Sequence, residues 1–267
     1  MPSTTLAAAT SPQVDPYQLR GRVAVVTGAG QGLGRAFAKA FAAAGATAVI
    51  ADINGETGPA VAREVAAAGG KALAIGTDVA DARSVDQMAA RVLDELGRID
   101  VLINNAGFFS TLKMRPFDQI PLDEWDHTLR VNVTGMFLCA RAVVPTMRKA
   151  GYGRIVNLSS ATARFGRPNY LHYVTSKAAV VGLTRALARE LGEFGITVNA
   201  IQPGATFTEI PRETVSPAQK EQIIATQCIK RAETPDDLVG MVLFLSSSAA
   251  SFVTGQTIAV DGGTVLR

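Results

Sequence analysis

The stretch VAVVTGAGQGLG, residues 23–34, joins a short apolar run to a glycine-rich turn. The run VAVVT (23–27) predicts a buried strand, and the apolar spacing after the turn predicts a helix. Glycines let the backbone approach a pyrophosphate, and the free N–H groups of a helix N-terminus favour its negative charge. The stretch therefore predicts the first unit of a dinucleotide-binding sheet. Its glycines follow TGxxxGxG rather than GxGxxG, and a plain glycine-rich turn is the alternative.

Strand and helix patterns alternate through the rest of the chain. Short apolar runs predict further strands at 47–52, 72–76, 100–104, 154–159, 196–201 and 257–261, separated by helical patterns near 34–45, 56–68, 82–96, 124–149, 173–193 and 235–246. Continuous apolar runs are typical of strands buried on both faces of a parallel sheet. We predict an α/β protein with a single Rossmann-like, doubly wound fold of about seven parallel strands and helices on both faces.

The predicted domain covers residues 20–267, and residues 1–19 predict a flexible tail. The segment 205–234 has weak periodicity and is interpreted as a substrate loop. No stretch reaches the roughly 20 apolar residues of a membrane span. The short apolar run near the N-terminus has no basic residue before it, so no signal peptide is expected. A cytoplasmic protein that contacts no membrane is the expectation.

The charged residues and cysteines argue against two classes of site. The net charge of +3 comes from dispersed Lys and Arg without a basic run, so no nucleic-acid partner is expected. Cys139 and Cys228 lie in apolar helical contexts without metal-ligand spacing. They are interpreted as reduced packing residues, and no metal is expected.

Asp52 ends the second predicted strand, eighteen residues after Gly34. An acidic residue at about this offset accepts hydrogen bonds from the adenosine ribose and repels a 2′-phosphate, which favours NAD over NADP. A role as a turn former is the alternative, and Arg35 is a nearby cation that argues for NADP. Asp78, after the third strand, is expected to accept from the adenine amino group, with a helix cap as the alternative. The asparagines of NNAG (104–107) are expected to line the cofactor, to satisfy buried backbone groups, or both.

The motifs TGxxxGxG, Asp52, NNAG (104–107), Asn132, Ser159-Ser160, YVTSK (173–177) and Pro203-Gly204 follow one another in this order. Over residues 20–265 the chain resembles the short-chain dehydrogenase/reductase family, in particular its NAD-preferring, alcohol dehydrogenase-like branch. The resemblance implies a catalytic tetrad of Asn132, Ser160, Tyr173 and Lys177. It also implies a homotetramer paired through the two long helices.

The chemistry of the four residue types fits proton and hydride transfer. Tyr173 is expected to exchange a proton with the substrate oxygen, although a free tyrosine has a pKa near 10. Lys177 lies one helical turn away on the same face and would stabilise the phenolate. Ser160, rather than Ser159, would bond the substrate oxygen, and Asn132 would hold a water that links Lys177 to solvent. His127 and His172 are left outside this mechanism.

The expected cofactor is NAD, with NADP second, because Gln31 stands where NADP-preferring reductases of the family carry a basic residue. The segment 203–208 is expected to bind the nicotinamide carboxamide and pyrophosphate. The full predicted cofactor site is Gly28, Gln31, Gly32, Leu33, Gly34, Asp52, Ile53, Asp78, Val79, Asn105, Ala106, Gly107, Tyr173, Lys177, Pro203, Gly204, Thr206 and Thr208.

The predicted substrate site is mostly apolar. It comprises Phe108, Phe109, Ser160, Thr162, Phe165, Phe207 and Ile210. Such a site suits a hydrophobic or aromatic secondary alcohol and its ketone, with ordinary packing as the alternative. The arginines Arg164, Arg167 and Arg212 are either surface residues or receptors for a carboxylate or phosphate.

Other functions stay open at this stage. The ending SFVTGQTIAVDGG (251–263) resembles family members that oxidise alcohols, and related endings occur in 3-oxoacyl thioester reductases. A thioester reductase is therefore the second hypothesis and a sugar or polyol dehydrogenase the third. A non-catalytic NAD-binding module is a fourth, against which the intact tetrad argues.

Overall fold

The computed structural model describes residues 17–211 and 217–266, and one seven-stranded sheet lies at its centre. The strands are β1 (Val23–Thr27), β2 (Thr47–Asp52), β3 (Lys71–Gly76), β4 (Val101–Asn104), β5 (Gly153–Leu158), β6 (Ile196–Pro203) and β7 (Thr257–Val260). They pair in the order β3-β2-β1-β4-β5-β6-β7, every neighbour parallel. The doubly wound, seven-stranded prediction is confirmed.

Helices cover both faces of this sheet. They are α1 (Gly32–Ala43), α2 (Thr57–Ala67), α3 (Ala82–Leu96), α4 (Leu122–Leu129), α5 (Gly135–Ala150), α6 (Thr162–Phe165), α7 (Leu171–Leu191), α8 (Pro217–Thr226) and α9 (Asp236–Leu245). The long helix predicted over 124–149 is two helices, α4 and α5, joined by a π-helical turn over Arg130–Thr134. The predicted loop 205–234 contains α8, and its residues 212–216 lie outside the described residues, as do residues 1–16 of the predicted tail.

Two hydrophobic layers flank the sheet because neighbouring residues of a strand point to opposite faces. Val26 of β1 packs in the layer that contains Phe37 and Phe41 of α1. Val25 packs in the opposite layer, which contains Met88 of α3. Each of these five residues is 0% exposed, which explains why the strands read as continuous apolar runs.

The chain changes winding direction between β1 and β4, so their carboxyl ends form the switch point at which ligands bind in such sheets. Glycines let the turn after β1 fold tightly against this edge. Gly28 has φ +61°, and a Cβ built there would lie 2.8 Å from the Ala106 Cα. A Cβ at Gly34 would lie 2.2 Å from the Gly28 carbonyl oxygen.

The two cysteines occupy different environments. Cys139 on α5 is fully buried, and burial raises the pKa of its thiol to about 12. Cys228 is exposed, with its Sγ 3.4 Å from the Gly263 carbonyl oxygen, so the prediction of a packing residue is wrong for this cysteine. Across the described ranges 17–211 and 217–266, no helix combines the length and apolar character needed to cross a membrane.

Candidate active site at the carboxyl edge of the sheet

A cavity of about 1210 Å³ runs along the carboxyl ends of the central strands. It brings together most of the predicted site residues: Gly28, Gln31, Leu33, Asp52, Ile53, Asp78, Val79, Asn105, Ala106, Gly107, Phe108, Phe109, Ser160, Thr162, Phe165, Tyr173, Lys177, Pro203, Gly204, Thr206, Thr208 and Ile210. Gly32, Gly34, Asn132 and Phe207 do not line it. The two glycines shape the turn from behind, and the other two residues are treated below.

Asp52 lies on the cavity wall and also holds the glycine-rich turn. One carboxylate oxygen accepts a hydrogen bond from the Gly30 backbone N–H at 2.7 Å, and the other accepts from that of Asn54 at 2.9 Å. The residue is only 8% exposed. Asp52 therefore fixes the glycine-rich turn. This turn leads directly into α1, whose N-terminus points at the cavity.

Asn105 ties the ends of β1 and β4 together. Its side-chain amide donates to the carbonyl oxygens of Thr27 and Gly28 at 2.9 and 3.0 Å. The Thr27 hydroxyl oxygen accepts in return from the backbone N–H groups of Asn105 and Ala106 at 3.1 and 3.0 Å. Asn105 thus lines the cavity and satisfies buried backbone groups at once.

These features fit a bound dinucleotide. A side chain at Gly28 or Gly34 would collide with Ala106, Asn105 or the turn itself, so glycine at these positions permits the tight turn that carries Gly28 and Gln31 on the cavity wall. The first turn of α1 carries no acidic residue of its own, and this positive helix end begins beside Gln31 and Leu33 on the cavity wall. The Asp52 carboxylate stands at the end of β2, where ribose hydroxyls are held in sheets of this kind.

Tyr173 and Lys177 lie side by side in the middle of the cavity. They are 8% and 5% exposed, and the Lys177 Nζ is 5.8 Å from the centre of the Tyr173 ring. The same Nζ donates to the Leu158 carbonyl oxygen at 2.8 Å, which fixes it at the end of β5. Burial lowers the pKa of Lys177 to about 8. The ammonium is therefore tethered beside the phenol and is charged below about pH 8.

The two adjacent serines have different roles. The Ser159 hydroxyl donates to the Lys177 carbonyl oxygen at 2.8 Å and so holds the end of β5 against α7. The Ser160 Oγ accepts from the backbone N–H and the hydroxyl of Thr162, at 3.2 and 3.0 Å. Ser160 therefore lies on the cavity wall with its hydroxyl beside Thr162.

Asn132 is fully buried in the π-helical turn, a distortion frequent at functional sites. Its Oδ1 accepts from the Phe108 N–H at 2.7 Å, and its Nδ2 donates to the Ser176 hydroxyl at 3.0 Å. A Cβ built on Gly107 would lie 3.5 Å from this Oδ1 and 3.6 Å from the Lys177 Nζ. Asn132 thus joins the loop after β4 to α7, immediately behind the Lys177 ammonium.

Glu233 anchors the loop after β6. The sequence analysis did not predict this role for Glu233. It is 4% exposed, and burial raises the pKa of its carboxyl. Its carboxylate accepts from the Thr206 hydroxyl at 2.5 Å and from the Gly204 N–H at 3.2 Å. Thr206 and Thr208 both line the cavity, and the Thr206 hydroxyl is bonded to Glu233.

Glu209 binds the glycine-rich turn from outside the cavity. Its Oε1 accepts from the Gly32 N–H at 3.0 Å and lies 3.6 Å from the Arg35 guanidinium. Arg35 also pairs with Glu64 at 2.7 Å and does not line the cavity. The cation that argued for NADP is therefore held by two carboxylates away from the site.

The substrate end contains residues that the sequence analysis missed. The described wall includes His127, Gln219, Gln222, Ile223, Thr226, Thr264, Val265 and Leu266. Four of them, Gln219, Gln222, Ile223 and Thr226, lie on α8. The helix-forming residues after Pro217 predict this helix from the sequence. Phe207 is a correction, because its ring lies 4.5 Å from the Lys220 Nζ and not on the cavity wall. His172 is fully buried, as expected of a packing residue.

The comparisons with known proteins agree with this geometry. A family model described as enoyl-(acyl carrier protein) reductase matches residues 28–265. A 3-oxoacyl-[acyl-carrier-protein] reductase of Synechocystis sp. is 39% identical over 251 residues, covering 93% of this chain and 98% of the relative. This chain belongs to the short-chain dehydrogenase/reductase family. It is therefore an oxidoreductase that acts on CH–OH groups.

Other members of the short-chain dehydrogenase/reductase family are similarly close. The D-threitol dehydrogenase of Mycolicibacterium smegmatis is 36% identical over 251 residues, with 94% of this chain and 95% of the relative covered. A 7α-hydroxysteroid dehydrogenase solved in complex with NADH and 7-oxo glycochenodeoxycholic acid superimposes with a TM-score of 0.89 at 36% identity, covering 95% of this chain and 98% of that one. Thioester, polyol and steroid chemistries thus occur on the same fold.

Proposed function

We propose that this protein is an NAD-dependent dehydrogenase that interconverts a hydrophobic or aromatic secondary alcohol and its ketone, with Tyr173 as the acid–base group. The observation that carries this proposal is the placement of Tyr173, with the tethered Lys177 ammonium beside it, on the wall of a cavity whose other end fits a dinucleotide.

Each residue of the tetrad has a distinct task in this proposal. The bound nicotinamide cofactor supplies the hydride acceptor or donor. Tyr173 takes the proton from the substrate hydroxyl, or returns it to the carbonyl oxygen. Lys177 stabilises the phenolate while its ammonium is charged, and Ser160 donates to the substrate oxygen as charge develops on it. Asn132 positions the loop after β4 against Lys177, and in this position it is suited to hold the proposed water.

Three features support NAD rather than NADP. The Asp52 carboxylate lies on the cavity wall, where it would repel a 2′-phosphate. Gln31 offers no positive charge at the glycine-rich turn. Arg35 is engaged by Glu64 and Glu209. Similar structures were solved with NADH and with NADP, so the assignment rests on these three features of the chain itself.

The apolar character of the substrate end supports a hydrophobic substrate. Phe108, Phe109, Phe165, Ile210 and Ile223 lie on this wall. A 3-oxoacyl thioester is the second candidate, favoured by the 39% identity to the 3-oxoacyl-[acyl-carrier-protein] reductase. A panel of aromatic ketones, 3-oxoacyl thioesters and polyols, each assayed with NAD(H) and NADP(H), separates these substrates.

A Tyr173→Phe variant tests the mechanism. Removing the hydroxyl should lower kcat by about 10²–10⁴-fold, the usual contribution of a positioned acid–base group. NADH binding, measured by fluorescence titration, should change less than about twofold because the ring is retained. Tyr170→Phe is the matched control, since Tyr170 is fully buried in the same aromatic cluster and its hydroxyl donates to the Phe109 carbonyl oxygen. Turnover that persists in Tyr173→Phe contradicts the mechanism.

A homotetramer in the cytoplasm is part of the same proposal. Ala178, Ala179 and Gly182 are exposed on α7, and Phe137 is 47% exposed on α5, so both long helices offer small or apolar residues to a partner. The buried free thiol of Cys139 agrees with a reducing compartment. Size-exclusion chromatography with light scattering measures the mass in solution. A mass equal to that of one chain would contradict the proposed tetramer.

A further inference from the structure

Arg167 occupies a distinctive place at the substrate end of the cavity. It lies in the short loop between α6 and α7 and is half-buried on the cavity wall. Gly166 with φ +70° and Asn169 with φ +62° fold this loop back, and the Asn169 carbonyl oxygen accepts from the Arg115 N–H at 2.9 Å. The arginine is therefore carried by a constrained loop rather than by a helix surface.

The contacts of Arg167 leave its charge without an acidic partner among residues 17–211 and 217–266. Its guanidinium lies 5.3 Å from the centre of the Tyr170 ring, and one of its nitrogens is 3.5 Å from the Met114 sulfur. Neither neighbour neutralises a cation. The nearby Arg164 differs, because it donates to the Gln202 side chain at 2.5 Å and to the Thr257 carbonyl oxygen at 3.3 Å, and it does not line the cavity. Arg212 lies outside the described residues.

Arg167 and the acidic residues of the described cavity wall lie at opposite ends of the cavity. Its described acidic residues are Asp52 and Asp78, both at the strand ends that would hold the adenosine. The described wall around Arg167 consists of apolar and neutral polar side chains. A guanidinium is a planar bidentate donor that favours a carboxylate or phosphate.

We infer that the physiological substrate carries an anionic oxygen group, which Arg167 binds while the ketone or alcohol reacts at Tyr173. This inference rests on the proposed function and names the class of its substrate. Arg167 and Tyr173 both line the cavity, and the buried Tyr170 ring packs against both, 5.3 Å from the Arg167 guanidinium and 5.1 Å from the Tyr173 ring centre, so the anionic group binds on the same part of the wall as the reacting carbon. The ligand is an apolar body with a carbonyl at one end and an anion at the other. The anion is a carboxylate of the substrate or a phosphate of its thioester carrier.

Paired substrates test this inference and separate the two sources of the anion. The carboxylate pair is para-acetylbenzoate and its methyl ester, together with the longer biphenyl analogue of each. The phosphate pair is a 3-oxoacyl-coenzyme A and the same acyl group on N-acetylcysteamine. Wild type should have the higher kcat/KM for the anionic member of one pair. Arg167→Gln should lower that kcat/KM by about 10–100-fold, through KM, because a charge-assisted hydrogen bond is lost.

Control variants distinguish a specific contact from a general loss of charge or fold. Arg167→Lys keeps the charge and should retain part of the preference. Arg83→Gln removes one positive charge from the exposed start of α3 and should leave every kcat/KM unchanged. The neutral member of each pair should change less than about twofold in Arg167→Gln, which shows that the site is intact.

Each outcome decides something specific. Equal losses for the neutral and anionic members in Arg167→Gln, or no loss for either, overturn the role of Arg167. A wild-type enzyme that reduces neutral ketones well but shows no anion preference overturns this inference and leaves the proposed function standing. Failure of the wild type to turn over any ketone or thioester with NADH or NADPH overturns the proposed function, and this inference with it.

Discussion

The two ends of the cavity are built in opposite ways. The cofactor half, which we define as residues 27–34, Asp52 and Asn105, consists of strand ends and the turn between β1 and α1, and the side chains of Asp52 and Asn105 bond to backbone groups of this turn. The substrate half, defined as 162–168, 205–211, α8 and 264–266, consists of loops and short helices. Its apolar side chains are partly open to solvent: Phe165 is 56% and Leu266 77% exposed.

This difference explains how one fold serves several substrates. The cofactor half takes its shape from the sheet, so changing it disturbs the fold. The substrate half consists of connecting segments that contribute little to the core. Its side chains can therefore change with little loss of folding stability. The similar proteins named above include a 3-oxoacyl-[acyl-carrier-protein] reductase, a D-threitol dehydrogenase and a 7α-hydroxysteroid dehydrogenase, and their different substrates agree with a substrate half that can vary on one fold.

The largest effect is expected for Gly34→Ala in the cofactor half. The new methyl group would lie 2.2 Å from the Gly28 carbonyl oxygen and 2.6 Å from the Asn105 Nδ2, so the turn must separate from the end of β4. We expect a loss of about 3 kcal/mol in the free energy of unfolding, the upper part of the usual range for overpacking a core, because the nearest atoms belong to the backbone. Urea denaturation measures this loss, and fluorescence titration measures the accompanying loss of NADH binding.

Gly240→Ala on α9 is the matched control for Gly34→Ala. Gly240 is exposed and a Cβ there meets nothing within 4 Å, so alanine should stabilise α9 by up to about 1 kcal/mol. If Gly34→Ala is as stable as the wild type and binds NADH normally, the proposed difference between the two halves is wrong. The cofactor half would then tolerate substitutions as well as the substrate half does.

Asp52→Asn should have an intermediate effect, on cofactor choice. The amide no longer repels a 2′-phosphate and binds ribose hydroxyls less well, since hydrogen bonds to charged groups are stronger. We expect the ratio of kcat/KM with NAD to that with NADP to fall by about 10–100-fold. Steady-state assays with both cofactors measure this ratio.

Asp78→Asn is the control for Asp52→Asn, because Asp78 lies on the same wall at the end of the next strand. Its Oδ1 accepts from the Ala80 N–H at 2.8 Å, and its charge is not expected to meet a 2′-phosphate. If both variants shift the ratio equally, the general negative charge of this end decides cofactor choice. An unchanged ratio in Asp52→Asn would remove its assigned role.

The sequence was most informative for the cofactor half. Its residues follow strands directly, so their positions are set by the register of a buried sheet that apolar runs already identify. The same reasoning placed Tyr173 and Lys177, because residues four apart share one face of a helix. For these residues a local pattern was enough.

The sequence was less informative wherever a contact joins distant segments. Glu233 lies 27 residues after Thr206, and no local pattern marks it as the acceptor for that hydroxyl. The π-helical turn at Asn132 interrupts a pattern that predicts one continuous helix. Phe207 was assigned to the substrate wall because it is aromatic and near the motif. Its ring instead packs beside Lys220, which only the position of α8 determines.

The smallest effect on stability is expected for Phe165→Ala in the substrate half. The ring is 56% exposed, so truncation should change the free energy of unfolding by less than about 0.5 kcal/mol. The KM for a bulky aromatic ketone should rise roughly 3–10-fold, since the ring forms part of the apolar wall. Phe37→Ala is the contrasting control, because Phe37 on α1 is fully buried in the core and its truncation should cost ~3–5 kcal/mol. If Phe165→Ala loses as much free energy of unfolding as Phe37→Ala, or loses NADH binding, the two halves form one cooperative structure. Substrate choice then cannot vary independently of the fold.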